Sequence, residues 1–271
     1  MKTYSRIFLV SVITFLPAGS IVFGQGSLTP SAAPAPMMKT LDELQPRIPI
    51  TSLPIIIQQP GNYYFTQTFA QNFLANAISI QTNNVTLDLY GFSLQQTATN
   101  AIFGILVSSS TSLPVTNVVI KNGFIGGFNS VGVNCFGTRS CTFENLTISD
   151  CTAGALSLQS LGSAPAAGNV VRRCHFFDNT GSGVVLSSGS GNVQNVYENC
   201  DAVNNTSAGF SLAAAGNFIM NCRASGNANN YVIAAGNRGG IVVLPAVNGT
   251  TINGSTGGGT GATDPCVNLS Y

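Results

Sequence analysis

Between residues 118 and 234 the chain repeats one alternation of apolar and polar positions five times. VVIKNGFIGGFNSVGVNC, CTFENLTISDCTAGALSL, NVVRRCHFFDNTGSGVVL, NVYENCDAVNNTSAGFSL and NFIMNCRASGNANNYVIA align without gaps on Gly123, Leu146, Cys174, Cys200 and Cys222. The anchors are thus spaced by 22 to 28 residues. Three positions before the anchor stand Ile120, Phe143, Val171, Tyr197 and Ile219, and two after it Ile125, Ile148, Phe176, Ala202 and Ala224. Side chains alternate faces along a strand, so these columns predict inward positions of one strand pair per coil. A second strand follows ten and twelve positions after the anchor, with Val133/Cys135, Leu156/Leu158, Val184/Leu186, Phe210/Leu212 and Val232/Ala234 inward. Between these lie Asn134, Ser157, Val185, Ser211 and Ile233, predicted to face outward.

Coils this short leave no room for a crossover helix, so the strands must stack in parallel, one coil upon the next at about 4.8 Å. Just before the anchor stand Asn122, Asn145, Asn199 and Asn221, with Arg173 in the same column. Asparagine tolerates left-handed backbone angles, and stacked amides can bond from coil to coil, which makes this a turn column. NVTLDLYGFSLQQ with GILV at 104 to 107 predicts an earlier coil, GNYYFTQTF with AISIQT a first one, and GGIVVLPAV at 239 to 247 a last one. The pattern predicts an all-β solenoid of about seven or eight coils.

The ends read differently. Residues 1–24 have a secretory layout: Lys2 and Arg6, an apolar run from Ile7, and a break at Pro17 and Gly19. Residues 25–39 are rich in Ser, Ala and Pro and read as a flexible linker. Thr40-Leu41-Asp42-Glu43 has the form of a helix capping box that Pro46 stops, so a short capping helix is expected, with residues 40 to 60 covering the first coil. The solenoid domain is placed at 40–250 and a loop or tail at 251–271. No further apolar run spans a bilayer, so the mature chain is expected outside the cytoplasm, secreted or held at the cell surface or in the periplasm.

Composition sharpens this. Charged residues make up 7% of the chain and the net charge is +1. Binding to nucleic acid needs clustered cations, and none occurs. The surface must be built from amides, hydroxyls and glycine.

In its repeats the chain resembles the right-handed parallel β-helix proteins of the pectate-lyase-like superfamily, and its opening from GSLTPSAAPAPMMKTLDEL through NVTLDLYGFSL is similar to that of exported bacterial members. The resemblance covers roughly residues 37 to 250 and implies a right-handed, single-stranded parallel β-helix. It also implies lyase or hydrolase chemistry along the G-x-G-I-x-L-type strand, from carboxylate-held calcium or paired aspartates. No carboxylate stands among the outward residues of that strand here. The acids are Asp42, Glu43, Asp88, Glu144, Asp150, Asp178, Glu198, Asp201 and Asp264, with no Asp-Asp pair among them. Neither a metal nor a cofactor is expected.

One constellation remains. The residues just after the anchors, Thr147, His175, Asp201 and Arg223, should stack in a line, with Asp178 in the turn nearby. His175 would be a general base oriented by Asp201, with Arg223 holding an acidic sugar. The same arrangement is also what an exposed charge ladder looks like, and Glu144, Arg172 and Glu198 form a second such column. Of seven cysteines, Cys174, Cys200 and Cys222 share an inward column and predict a packed thiol stack, while Cys135 and Cys141 are the candidates for a bridge. The function expected is a non-catalytic, polysaccharide-binding or scaffolding module. The alternatives are a polysaccharide lyase or glycoside hydrolase acting on acidic polysaccharide, and an adhesive envelope protein.

Overall fold

The computed structural model describes residues 46–109 and 113–239, together with the strand backbones of Val242–Val243 and Asn268–Ser270. The secretory segment, the linker and the capping box lie outside the described residues, as does most of the tail. Every strand pairing within the two main sheets is parallel. Sheet B stacks Ile55–Ile57, Ile78–Ile80, Ile105–Ser108, Val131–Phe136, Gly154–Gln159, Ser182–Leu186, Ala208–Leu212 and Asn229–Ile233, one strand from each coil. Sheet A takes the other strands of each coil, such as Val170–Arg172 and His175–Phe177, which the turn column separates. Among the described residues the chain forms a parallel β-solenoid with eight such strands stacked in sheet B.

The first coil begins earlier than the sequence pattern indicated. Ile48–Ile50 pairs with the strand of Tyr63 and Ile55–Ile57 with that of Ile78, so this part of the expected cover is itself sheet. At the other end Asn268–Ser270, within the stretch read as tail, pairs with Arg223 and Ala224.

The anchor register holds through four coils and slips by one in the last. Phe210 pairs with Tyr231 and Leu212 with Ile233, so Tyr231 and Ile233 point inward and Val232 outward, correcting the expected Val232/Ala234 pair. The loop after Asn227 is one residue shorter than its counterpart after Asn205, and a slip of one reverses every side chain of the strand that follows. Stacking of Tyr231 on Phe210, with ring centroids 5.5 Å apart, fixes the new register.

The turn column behaves as the sequence implies. Asn122, Asn145, Arg173, Asn199 and Asn221 all have φ between 52° and 60°. Asn145 Nδ2 donates to Asn122 Oδ1 at 3.1 Å, and Arg173 Nε to Asn145 Oδ1 at 3.1 Å. At the anchor, Gly123 lies so close to Leu89 that an added Cβ would fall 2.4 Å from the leucine Cβ. Later anchors have room for sulfur. Cys174, Cys200 and Cys222 are buried in a column, each thiol donating to a carbonyl of the preceding coil at 3.5 or 3.6 Å.

Cys135 and Cys141 are not bridged; both are free. Cys135 points into the core from sheet B, whereas Cys141 directs its sulfur at the carbonyls of Val115 and Arg139. Burial pushes the Cys141 thiol up to about 11 and that of Cys151 up to about 12, so both are protonated and unreactive at neutral pH.

Two buried amide ladders bind the later coils together, five residues before and five after the anchors. In the first, Asn169, Asn195, Asn217 and Asn237 stack so that each Oδ1 accepts from the main-chain N–H and the Nδ2 of the asparagine one coil earlier, at 2.9 to 3.1 Å. In the second, Asn179, Asn205 and Asn227 repeat the arrangement. Cysteine precedes each ladder: the main-chain N–H groups of Cys141 and Cys151 donate to Asn169 and Asn179 at 3.0 Å. These amides close turn backbone that has no sheet partner, so they remove donors and acceptors that would otherwise be buried unpaired.

Candidate ligand-binding face

The two sheets present unlike outer surfaces. The positions of sheet B that point away from the core are Ile56, Ser79, Leu106, Asn134, Ser157, Val185, Ser211 and Val232, none of them charged, and of these Ser79, Asn134 and Ser157 are buried. This is the strand on which the family resemblance places chemistry.

Sheet A collects the charges. Two positions before the anchor its register aligns Tyr64, Asp88, Lys121, Glu144, Arg172, Glu198 and Met220 in one outward column. One position after it runs Phe124, Thr147, His175, Asp201 and Arg223. Both columns have the order the sequence implied. Their side chains nonetheless pair off unevenly. Arg172 turns back to Glu144, with Nε 2.9 Å from Oε2, and Arg173 closes on the other oxygen of the same carboxylate. Burial raises the pKa of Glu144, and the hydrogen bonds and charges of the two guanidiniums outweigh it, leaving the group below the ordinary glutamate value.

Asp201 meets Arg223 in a bidentate pair, Nε to Oδ1 at 2.6 Å and Nη2 to Oδ2 at 2.7 Å. Its neighbour His175 is exposed and rests against Phe177, ring centroids 5.1 Å apart; no described hydrogen bond joins it to Asp201. Asp178 sits exposed in the next turn with φ 55°. The structure therefore brings His175, Asp201 and Arg223 into register, but both carboxylate oxygens of Asp201 are engaged by Arg223.

A concavity of about 400 Å³ opens at the other end of the same face, lined by Arg47, Asn62, Tyr63, Tyr64, Thr86, Asp88 and Lys121. Tyr64 lines it, and Tyr90, 58% exposed, stands beside Tyr64 at 6.2 Å between ring centroids, outside the lining. Tyr90 owes its position to a left-handed turn, φ 55°, whose N–H donates to Asp88 Oδ1 at 2.9 Å. That oxygen also accepts from Asn122 Nδ2 at 3.1 Å, while Oδ2 lies 3.4 Å from Lys121 Nζ. The Arg47 guanidinium covers the rings of Tyr64 and Tyr90 at 5.1 and 5.8 Å. The alternation pattern pointed to none of these three aromatic and cationic residues. Arg47 precedes the coil that the pattern took as first, and Tyr64 meets Asp88 only once that coil's register is known.

The family description "Right handed beta helix region" matches residues 55–229. No curated protein matches the sequence. Among solved structures, the crystal structure of the Dettilon tailspike protein aligns with a TM-score of 0.37 and 10% identity, covering 82% of this chain and 61% of the tailspike chain. The chain thus spans less than two thirds of that protein.

Proposed function

The chain belongs to the right-handed β-helix family, and from that premise we propose that it is an exported, non-catalytic solenoid that binds polysaccharide on the outer face of sheet A. The observation that carries the reading is the cleft lined by Tyr64, with the exposed ring of Tyr90 beside it, where aromatic surface adjoins an amide, a hydroxyl and two cations. Sugars offer apolar C–H faces to rings and hydroxyls to amides, and a shallow site with few convergent polar groups suits them. The acids Asp88, Glu144 and Asp201 on this face are each held by a cation, which suits binding better than proton transfer. The layout of residues 1–24 supports export.

Affinity electrophoresis against plant, algal and microbial polysaccharides tests the reading. Retardation by at least one polymer is expected, weakened roughly tenfold by Tyr90→Ala, the loss of one well-placed contact. Retardation by none would overturn it. The in-register line of His175, Asp201 and Arg223 favours a second reading, cleavage of an acidic polysaccharide. Release of new chain ends that His175→Ala abolishes would establish it in place of the first.

A further inference from the structure

We propose that the Arg47 end of the cleft is a seat for one anionic substituent of the bound sugar, a carboxylate or a sulfate ester. This rests on the carbohydrate reading above and names the class of sugar. The cations of the neighbouring columns are committed: Lys121 to Asp88, Arg172 and Arg173 to Glu144, and Arg223 to Asp201. Arg47 differs, since no carboxylate among the described residues lies within ion-pair distance of it and its recorded partners are two aromatic rings.

The guanidinium Cζ lies over both rings, and among the described residues no hydrogen bond engages its N–H groups. Its N–H groups radiate in the plane, and that edge is what grips a carboxylate or sulfate in a two-pronged bond. The side chain is half-buried, so the fork is held in place before any ligand arrives and little freedom is lost on binding. Asp88 does not compete for it. Both of its oxygens are occupied, by Tyr90 N–H and Asn122 Nδ2 on one and by Lys121 on the other. With Arg47 and Lys121 against Asp88, the lining carries one net positive charge. Asn62 and Thr86 stand beside it to take hydroxyls.

The test is calorimetric titration of the full chain with matched polymers: polygalacturonate against its methyl ester, and carrageenan against its desulfated form. The acidic member of at least one pair should bind about tenfold more tightly, an advantage that shrinks as salt rises. The pair showing it tells carboxylate from sulfate. Arg47→Gln should bring the ratio to about one, Arg47→Lys should restore part of it, and Arg238→Gln, outside the cleft, should leave it unchanged. Equal binding of charged and neutral polymers by the unaltered protein overturns the anion seat and leaves the carbohydrate reading standing. Binding of no polymer overturns both. A charge preference that survives Arg47→Gln in a variant with unchanged thermal midpoint also overturns the seat.

Discussion

Two kinds of ladder climb this solenoid at the same coil spacing, and they obey opposite rules. Inside, Asn169, Asn195, Asn217 and Asn237 lie between 0 and 7% exposed, with every side-chain donor and acceptor from Asn169 to Asn217 engaged. Outside, charges alternate with equal regularity, but the column breaks into separate pairs because Arg172 and Arg173 converge on Glu144 and leave Glu198 aside. Water explains the difference. An exposed charge that loses its partner is rehydrated, so exterior pairs are worth little. A buried amide that loses its partner keeps the full desolvation cost, so the interior ladder is held by the penalty for breaking it.

The most severe way to break the contrast is Asn205→Asp. The new oxygen would face two acceptors, the Phe176 carbonyl and Asn227 Oδ1. Only the protonated acid can donate there, so its folded pKa is raised. The variant should therefore match the parent most closely below the unfolded value near pH 4 and lose about 4 kcal/mol at pH 7, read from urea midpoints. Next comes Asn195→Ala, which takes the side-chain acceptor from the Asn169 N–H and Nδ2 and the side-chain donor from the Ala166 carbonyl; about 3 kcal/mol should be lost, almost independently of pH and salt. Outside, Glu144→Gln should cost about 1 kcal/mol. The Glu144 pKa is depressed in the fold, so its stabilisation is present above the unfolded value near 4.3 and lost as pH falls through the folded one. The two proteins should converge in acid. Smallest of all, Asp201→Asn should cost less than about 0.5 kcal/mol, and 0.5 M salt should erase that. Equal costs for Asn195→Ala and Asp201→Asn would dissolve the distinction.

The interior ladder also marks the limit of what the sequence made legible. Columns of identical or similar residues next to the anchor, such as the thiol stack and the Asn122, Asn145, Asn199 and Asn221 turn, announce themselves because neighbours in sequence are compared at one offset. The ladders stand at the same distance on either side of Cys174, Cys200 and Cys222, and that symmetry was present in the chain: Asn169 and Asn179, Asn195 and Asn205, Asn217 and Asn227. Asparagine next to a turn reads as exposed, so nothing in the residue type reveals that these are buried. The slip at Tyr231 and Ile233 escaped for another reason. Apolar residues occupy Tyr231, Val232 and Ile233 alike, so alternation does not decide which of them face inward. The Tyr64 and Arg47 cleft is legible only through three-dimensional register, because its partners come from separate coils.

The amide ladders have a direction without a preferred length. Each asparagine receives from the coil before it and gives to the coil after it, so a copied coil bearing the same two asparagines would enter between Asn169 and Asn237 with every bond re-formed. As far as the amide bonds are concerned, tandem duplication in this stretch leaves no donor or acceptor unpaired. Near the start the anchor is more constrained, because a Cβ at Gly123 would lie 2.4 Å from that of Leu89, so a copy of a later coil, with leucine or cysteine at its anchor, would not fit against Leu89. A coil inserted well away from Arg47 and Tyr64 would extend the polar face and leave the cleft unaltered.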